Sequence, residues 1–174
     1  MEPPLGLPRG KVSVVPHDPR WGELYQCAEA DLRRHLGDWI VAMAHIGSAA
    51  VAGLDAKPIL DLMLAARSLQ LPREVFRKLS DMGYEHRAED NVPGRLFFAK
   101  GDDSARTHYL SICESESAFW TSHIAFRDIL RANDRLARQY ARLKHQLAEQ
   151  FPDDRRAYTN AKEFFVRSVI DAAK

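Results

Sequence analysis

Residues 45–61 read HIGSAAVAGLDAKPILD, two apolar runs joined by a bend of small residues. Trp39 to Ile46 reads as one strand, and Ile59 to Leu64 as a second, apolar strand. Between them Gly47 lets the backbone approach a ligand closely, and Ser48 offers a hydroxyl. A short helix opening at this bend would aim unpaired N–H groups at an anion. Asp61 lies among Ile59, Leu60, Leu62, Met63 and Leu64, where an unpaired carboxylate is costly. Lys57, an arginine or a metal ion would serve as its partner. Strand, tight turn, short helix and a strand bearing an acid together describe a phosphate site, in which the acid can hold Mg²⁺ jointly with phosphate oxygens. Taken alone, the Gly-Ser pair also reads as an ordinary turn, and Asp61 as a structural hydrogen-bonding acid.

Outward from this stretch, Val12 to Val15 reads as a strand. Asp18-Pro19 opens a helix carrying Trp21, Leu24, Tyr25, Ala28, Leu32 and Leu36 at helical spacing, ended by Gly37. Pro72 to Met82 reads as a helix closed by Gly83, and Tyr84 begins another strand. Arg95 to Lys100 and Thr107 to Cys113 are strands joined by the turn Gly101-Asp102-Asp103. Ala118–Arg131, Asp134–Gln150 and Asp154–Ala172 then follow as three helices, with Asn133 and Asp153 as caps. Residues 1–10, with three prolines and two glycines, read as a flexible tail, and residues 11–174 as a single domain. The expected fold class is α+β, a mixed β-sheet core with a C-terminal three-helix extension.

The chain has 174 residues, 25 Lys+Arg against 24 Asp+Glu, and a net charge of +1. That balance argues against a nucleic-acid binder that works by neutralising phosphates, while leaving room for a local basic pocket. Cys27 and Cys113 show no paired spacing and read as reduced core residues of a cytoplasmic protein. The opening residues do not resemble a signal peptide, and no run approaches the roughly 18 apolar residues of a membrane span. No G-x-S-x-G, Walker A or G-x-G-x-x-G pattern is present, so Ser48 reads as a phosphate ligand rather than an acyl nucleophile.

Several blocks in order resemble the GrpB family. They are Val12-x-Val-Val-Pro-x-Asp-Pro-x-Trp21, His45-Ile-Gly-Ser, Val51-x-Gly-Leu, Lys57-Pro and Asp61. Next come Arg95-x-Phe-Phe-x-Lys100-Gly, Arg106-Thr-His108 and His123-Ile-Ala-Phe-Arg127-Asp-x-Leu-Arg131. Tyr140-x-x-x-Lys144 and Tyr158-x-x-x-Lys162 complete them. The resemblance spans roughly residues 12–170. It implies a nucleotidyltransferase-like core with added helices, whose signature is Gly-Ser, a spacer, Asp-x-Asp or Asp-x-Glu on a strand, and a further acid on a later strand. Gly47-Ser48 and Asp61 match the first part. Met63 stands where the second acid is expected, Ser111 where the family often has a histidine, and Ala52 where it has a proline. Two-metal phosphoryl transfer needs several carboxylates. One acid leaves either a single Mg²⁺, with Glu114 or the substrate completing its shell, or binding without transfer. Members of this family also occur fused to a dephospho-coenzyme A kinase.

The resemblance and the residues together imply a nucleoside triphosphate, ATP foremost, bound with Mg²⁺, and transfer of a nucleotidyl group to a small acceptor. Asp61, Ser48 and His108 are the catalytic candidates, with Asp61 as the metal ligand. His45, Gly47, Ser48, Lys57, Arg95, Lys100, His123, Arg127 and Lys144 are the phosphate-binding candidates. His45 reads either as a pocket group or as a hydrogen-bonded core histidine. His108 and Ser111 point to opposite faces of their strand, as do Arg95 and Lys100, so only one of each pair enters a given pocket, and His108 is preferred. His123, Arg127 and Arg131 recur on one helix face, either completing an anion pocket or forming a solvated surface. Tyr140 and Tyr158 fit apolar stripes, while Lys144 and Lys162 reach either phosphate or water. The alternatives are a degenerate relative that binds a nucleotide or phosphometabolite without turnover, and an ATP-using ligase or hydrolase on the same fold.

Overall fold

A computed structural model describes residues 5–173. It contains helices α1 (Arg20–Leu36), α2 (Arg73–Asp81), α3 (Ala118–Ala132), α4 (Asp134–Gln150) and α5 (Arg155–Asp171). The strands are β1 (Ala42–Ile46), β2 (Leu60–Ala66), β3 (Tyr84–His86), β4 (Arg95–Lys100) and β5 (His108–Glu114). They form one sheet in the order β1-β2-β5-β4-β3. Only β2 and β5 run parallel; the other pairs are antiparallel. This is the expected mixed sheet with three helices appended.

The helices start where their caps allow. Asp18 accepts the N–H of Arg20 at 2.9 Å, and Asn133 accepts that of Leu136 at 3.0 Å. Asp154 caps α5 in the same way, accepting from Ala157. Asp153, expected in that role, instead pairs with Lys11 at 2.5 Å.

The two faces of the sheet bury different things. Leu60, Leu62, Leu64, Leu110, Ile112 and Phe98 point to one face, where α1 and α2 bring Trp21, Leu32, Val75 and Leu79. This is the main core, and each fully buried leucine there contributes about 1.5–3 kcal/mol. Ala44, Ile46, Met63 and Cys113 point to the other face, beneath Phe119, Trp120 and Ile124 of α3. Strand β2 lies inside the sheet, so both its faces are covered and it reads as a continuous apolar run. Asp61 interrupts that run at the second residue, opposite Ile46 of β1 and Tyr109 of β5.

Four local expectations are corrected. Val12–Val15 forms no strand; Val15 makes a single bridge to Ala56, while the N–H of Val12 is taken by the Pro152 carbonyl. The strand expected from Trp39 begins only at Ala42, because Gly37–Trp39 is a turn of 3₁₀ helix. Cys27 is exposed on α1, away from the helix face that buries Trp21 and Leu32, whereas Cys113 is buried. The N-terminal segment is docked from Gly6 onward. Gly6 N–H donates to Pro58, Leu7 pairs with Arg106 in both directions, and Leu7 is buried. Residues 1–4 of the expected tail lie outside the described residues. No helix among the described residues is long and apolar enough to cross a membrane.

Candidate functional site

Strand β1 delivers the chain to Gly47 directly beside Asp61, because Ile46 and Asp61 are register partners. Gly47 has φ +71°, a conformation that side chains rarely adopt. A Cβ placed there would sit 2.7 Å from Asp61 Oδ2, closer than nonbonded atoms tolerate. The glycine is therefore required twice, by the turn and by the carboxylate packed against it. The expected helix after Ser48 is one turn of 3₁₀ over Ser48–Ala50. Three residues are too few for a helix dipole to attract an anion, so positive charge has to come from side chains.

Lysines supply it. A cavity of about 80 Å³ opens between the bend, β2 and the inner sides of α4 and α5. Gly47, Ser48 and Asp61 line it together with Lys57, Lys144 and Lys162. Lys57 comes from the loop before β2, Lys144 from α4 and Lys162 from α5. Each ammonium lies over an aromatic ring, Lys57 over Tyr109 at 5.6 Å, Lys144 over Tyr140 at 5.1 Å and Lys162 over Tyr158 at 4.2 Å. Lys144 is only 2% exposed and donates to the Asp55 carbonyl. Burial pushes Lys57 down to about 8, with Arg155 adding to the fall and Asp61 opposing it. Burial likewise pushes Lys144 down to about 7, against the pull of Asp55 and Asp61. Lys162 is lowered too, by burial first and then by the charges of Lys57 and Lys144. Tyr140 lines the same cavity as Ser48, and burial raises that tyrosine. Three desolvated ammonium groups around one carboxylate make a site short of negative charge, which an anion would supply.

A second, larger cavity of about 550 Å³ lies across the same turn, between α1, β1 and α3. Ala49 lines both cavities. His45, Arg127 and Arg131 open onto this cleft, not onto the lysine cavity. Arg127 donates to the His45 carbonyl at 3.1 Å, and Arg131 to the Ala50 carbonyl at 2.7 Å. The His45 ring is buried and stacks flat on Tyr25, centroids 4.7 Å apart. Burial pushes it down to about 4, with Arg131 and Arg127 adding to the effect.

The remaining candidates lie elsewhere. Asp61 pairs with Tyr109, so Tyr109 and Ser111 share its face and His108 points to the other. The preference for His108 is therefore corrected; it faces Lys100 and Tyr84 on the α1–α2 side. Lys100 sits there as well, over the Tyr84 ring at 5.2 Å. Arg95 is on the Asp61 face but stacks on Phe97 and donates to the Asp90 carbonyl. His123 stacks on Phe119 and engages its carbonyl oxygen at 2.7 Å. Neither lines the lysine cavity. Glu114, a candidate to complete a metal shell, ends β5 and accepts from the Leu69 N–H. Lys162, Tyr140 and Tyr158 complete the cavity, and only the Tyr-x-x-x-Lys spacing in α4 and α5 hinted at them.

The donor set limits any metal. Among the described residues no group of three or more His, Cys, Asp or Glu is placed to hold an ion. Met63, where a second acid would stand, is fully buried under α3. The residues present do not fit a protein-held pair of cations. Asp61 and Ser48 offer two oxygen ligands, enough for one Mg²⁺ whose other ligands are phosphates and water.

Residues 11–172 match the family described as GrpB protein. The glutamate-rich protein GrpB of Alkalihalophilus pseudofirmus is 33% identical over 171 residues, covering 96% of this chain and 98% of that protein. The crystal structure of the conserved protein GrpB from Enterococcus faecalis matches with a TM-score of 0.84 at 30% identity, over 92% of this chain and 96% of that one. A crystal structure of the Cid1 poly(U) polymerase bound to MgATP matches with a TM-score of 0.52 at 12% identity, over 78% of this chain and 44% of that one. At that identity the likeness concerns the fold.

Proposed function

We propose, from the premise that the chain belongs to the GrpB family and has a nucleotidyltransferase-like fold, that it binds a nucleoside triphosphate by its phosphate chain in the lysine cavity and transfers the nucleotidyl group to a small acceptor. The observation that carries this reading is the convergence of Lys57, Lys144 and Lys162 on the Gly47–Ser48 bend and Asp61. At about 80 Å³ the cavity has room for phosphate groups and none for a base. ATP is the first ligand to test, since the fold relative Cid1 was crystallised with MgATP.

The chemistry asked of the protein is positioning and charge stabilisation. The acceptor's nucleophile forms a bond to the α-phosphorus, the bond between the α-phosphorus and the α–β bridging oxygen breaks, and that oxygen leaves on pyrophosphate with the electron pair. Lys144 and Lys162, fixed on rigid helices, neutralise the charge that grows on the departing phosphates. Gly47 keeps the backbone clear of the phosphates, and the Ser48 hydroxyl hydrogen-bonds a phosphate oxygen. Asp61 and Ser48 are the residues that would hold one Mg²⁺, which when bound would polarise the phosphoryl oxygens. Lysines take over the charge that a second cation provides in two-metal enzymes.

Calorimetric titration with ATP, GTP, CTP and UTP, with Mg²⁺ and with a chelator, tests the reading. Saturable heat with at least one nucleotide is expected, abolished by Lys144→Ala. No heat with any of the four would end it. Met63 favours a second reading, binding without transfer; nucleotide binding with no pyrophosphate release in any acceptor mixture would establish that version.

A further inference from the structure

The arginine cleft is a second candidate site, and the lysine reading does not explain it. Its volume of about 550 Å³ falls within the roughly 300–1,000 Å³ of small-molecule sites. Arg127 and Arg131 stand one turn apart on α3, each oriented by a backbone carbonyl of the His45–Ala50 segment. Asp128 is their one acidic neighbour and is half exposed. Arg127 Nη2 has no partner among the described residues. His45 Nε2 and His17 Nδ1 are also buried without a hydrogen-bond partner, and both rings line the cleft. Each such group costs about 1–3 kcal/mol when left unmade, so it calls for an explanation.

We propose that this cleft binds a small molecule carrying a carboxylate, held by Arg127 and Arg131, with a polar group of the ligand meeting His45. Planar guanidinium forks match the flat, two-oxygen geometry of a carboxylate, whereas lysine ammonium groups act on phosphate as point charges. The neutral imidazole of His45 can donate or accept, so the cleft suits ligands with a polar substituent beside the acid. The turn Gly47–Ala50 is the wall between the two cavities, which places their occupants next to each other. In the nucleotidyl-transfer reading the bound carboxylate is the acceptor, its oxygen bonding to the α-phosphorus as pyrophosphate leaves. That identification rests on the reading above; binding to the cleft does not.

The test is a ¹H–¹⁵N NMR titration of the full chain with benzoate, phthalate, succinate and citrate, and separately with adenosine. At least one carboxylate is expected to move the Arg127 and Arg131 Nε–Hε signals and the Ala49–Ala52 amides to saturation. Ala52→Trp, at an exposed position on the rim, should weaken that response at least tenfold while other signals stay native. Arg131→Gln should weaken it similarly. Carboxylates that leave these signals unmoved, or move them equally in both variants, overturn the proposal. Saturable movement of the same signals by adenosine in preference to every carboxylate also overturns it, making the cleft a nucleoside subsite. The response of the Gly47 and Ser48 amides to ATP in the same samples judges the nucleotide reading separately.

Discussion

The lysine cavity and the arginine cleft share one wall, the turn that begins at Gly47, and they use positive charge in opposite ways. In the cavity three ammonium groups are desolvated and lowered, so the charges are held against their own preference. In the cleft the guanidinium groups are anchored on backbone carbonyls and stay partly open to water. The cavity therefore stores unfavourable electrostatics that an anion relieves, whereas the cleft arginines serve the fold even without a ligand. Charge placed for binding and charge placed for structure should respond differently to the same substitution.

The shared wall gives the largest effect. Gly47→Val forces a β-branched residue to φ +71° and drives its Cβ toward Asp61 Oδ2. A loss of roughly 2–4 kcal/mol is expected from strain and clash together. Urea unfolding measures it, and ATP binding should vanish with it. Wild-type stability would show that the turn can relax away from the carboxylate, and the two cavities would then be independent.

Removing one charge on each side comes next. Lys144→Met should lower ATP affinity at least a hundredfold and yet raise stability near pH 7 by roughly 1–3 kcal/mol, because a buried ammonium is replaced by a thioether of similar length. The lost hydrogen bond to Asp55 reduces that gain without reversing it. Arg127→Met should do the reverse, lowering stability by roughly 1–2 kcal/mol through the bond to the His45 carbonyl while leaving ATP affinity near wild type. Calorimetry and chemical unfolding on both variants check the pair. Equal signs of the stability change would erase the distinction between them.

The reach of the sequence follows the same division. Gly47, Ser48 and Asp61 were legible because they are close in the chain and a buried acid needs a partner. Lys162 was not, since its place beside Asp61 depends on how α5 docks, and Tyr-x-x-x-Lys spacing fits a solvated helix equally well. The error over His108 has a similar origin. Alternation separates His108 from Ser111 on one strand, but the face that meets Asp61 is set by register across β2 and β5, where Asp61 pairs with Tyr109. His45 and Arg127, read either as pocket groups or as structural ones, line the arginine cleft and not the lysine cavity, because Gly47 turns the chain between two cavities rather than into one.

pH gives a smaller effect and a clear sign. Lys57 at about 8 and Lys144 at about 7 are partly or wholly neutral in the free protein above those values. A bound polyphosphate favours the charged form, so binding takes up protons and weakens as pH rises. Tripolyphosphate should bind about tenfold more tightly at pH 7 than at pH 9, with heats that depend on the buffer's ionisation enthalpy. The cleft should show no such trend over this range, because burial pushes His45 down to about 4 and leaves it uncharged throughout. For stability the sign is opposite. Unfolded lysines near 10.5 hold more protons than the folded ones, so these groups make the fold more stable as pH climbs from about 7 toward 10.5. A carboxylate affinity that falls in parallel with that of tripolyphosphate would mean one linked site.

The smallest expected effect is His108→Gln, and a null outcome there is informative. His108 pairs with Leu60, one residue before Asp61, so the two side chains are close along the sheet and on opposite faces of it. Burial lowers the imidazole to about 4, with Lys100 adding to the shift, so it is uncharged at neutral pH and lends no positive charge to a phosphate. Glutamine keeps a polar group near the Thr107 hydroxyl, the present partner of Nδ1 at 2.8 Å. ATP affinity by calorimetry should stay within twofold of wild type. A loss greater than fivefold would mean that the sheet transmits the change between its faces, and the site could no longer be confined to the side that carries the lysines.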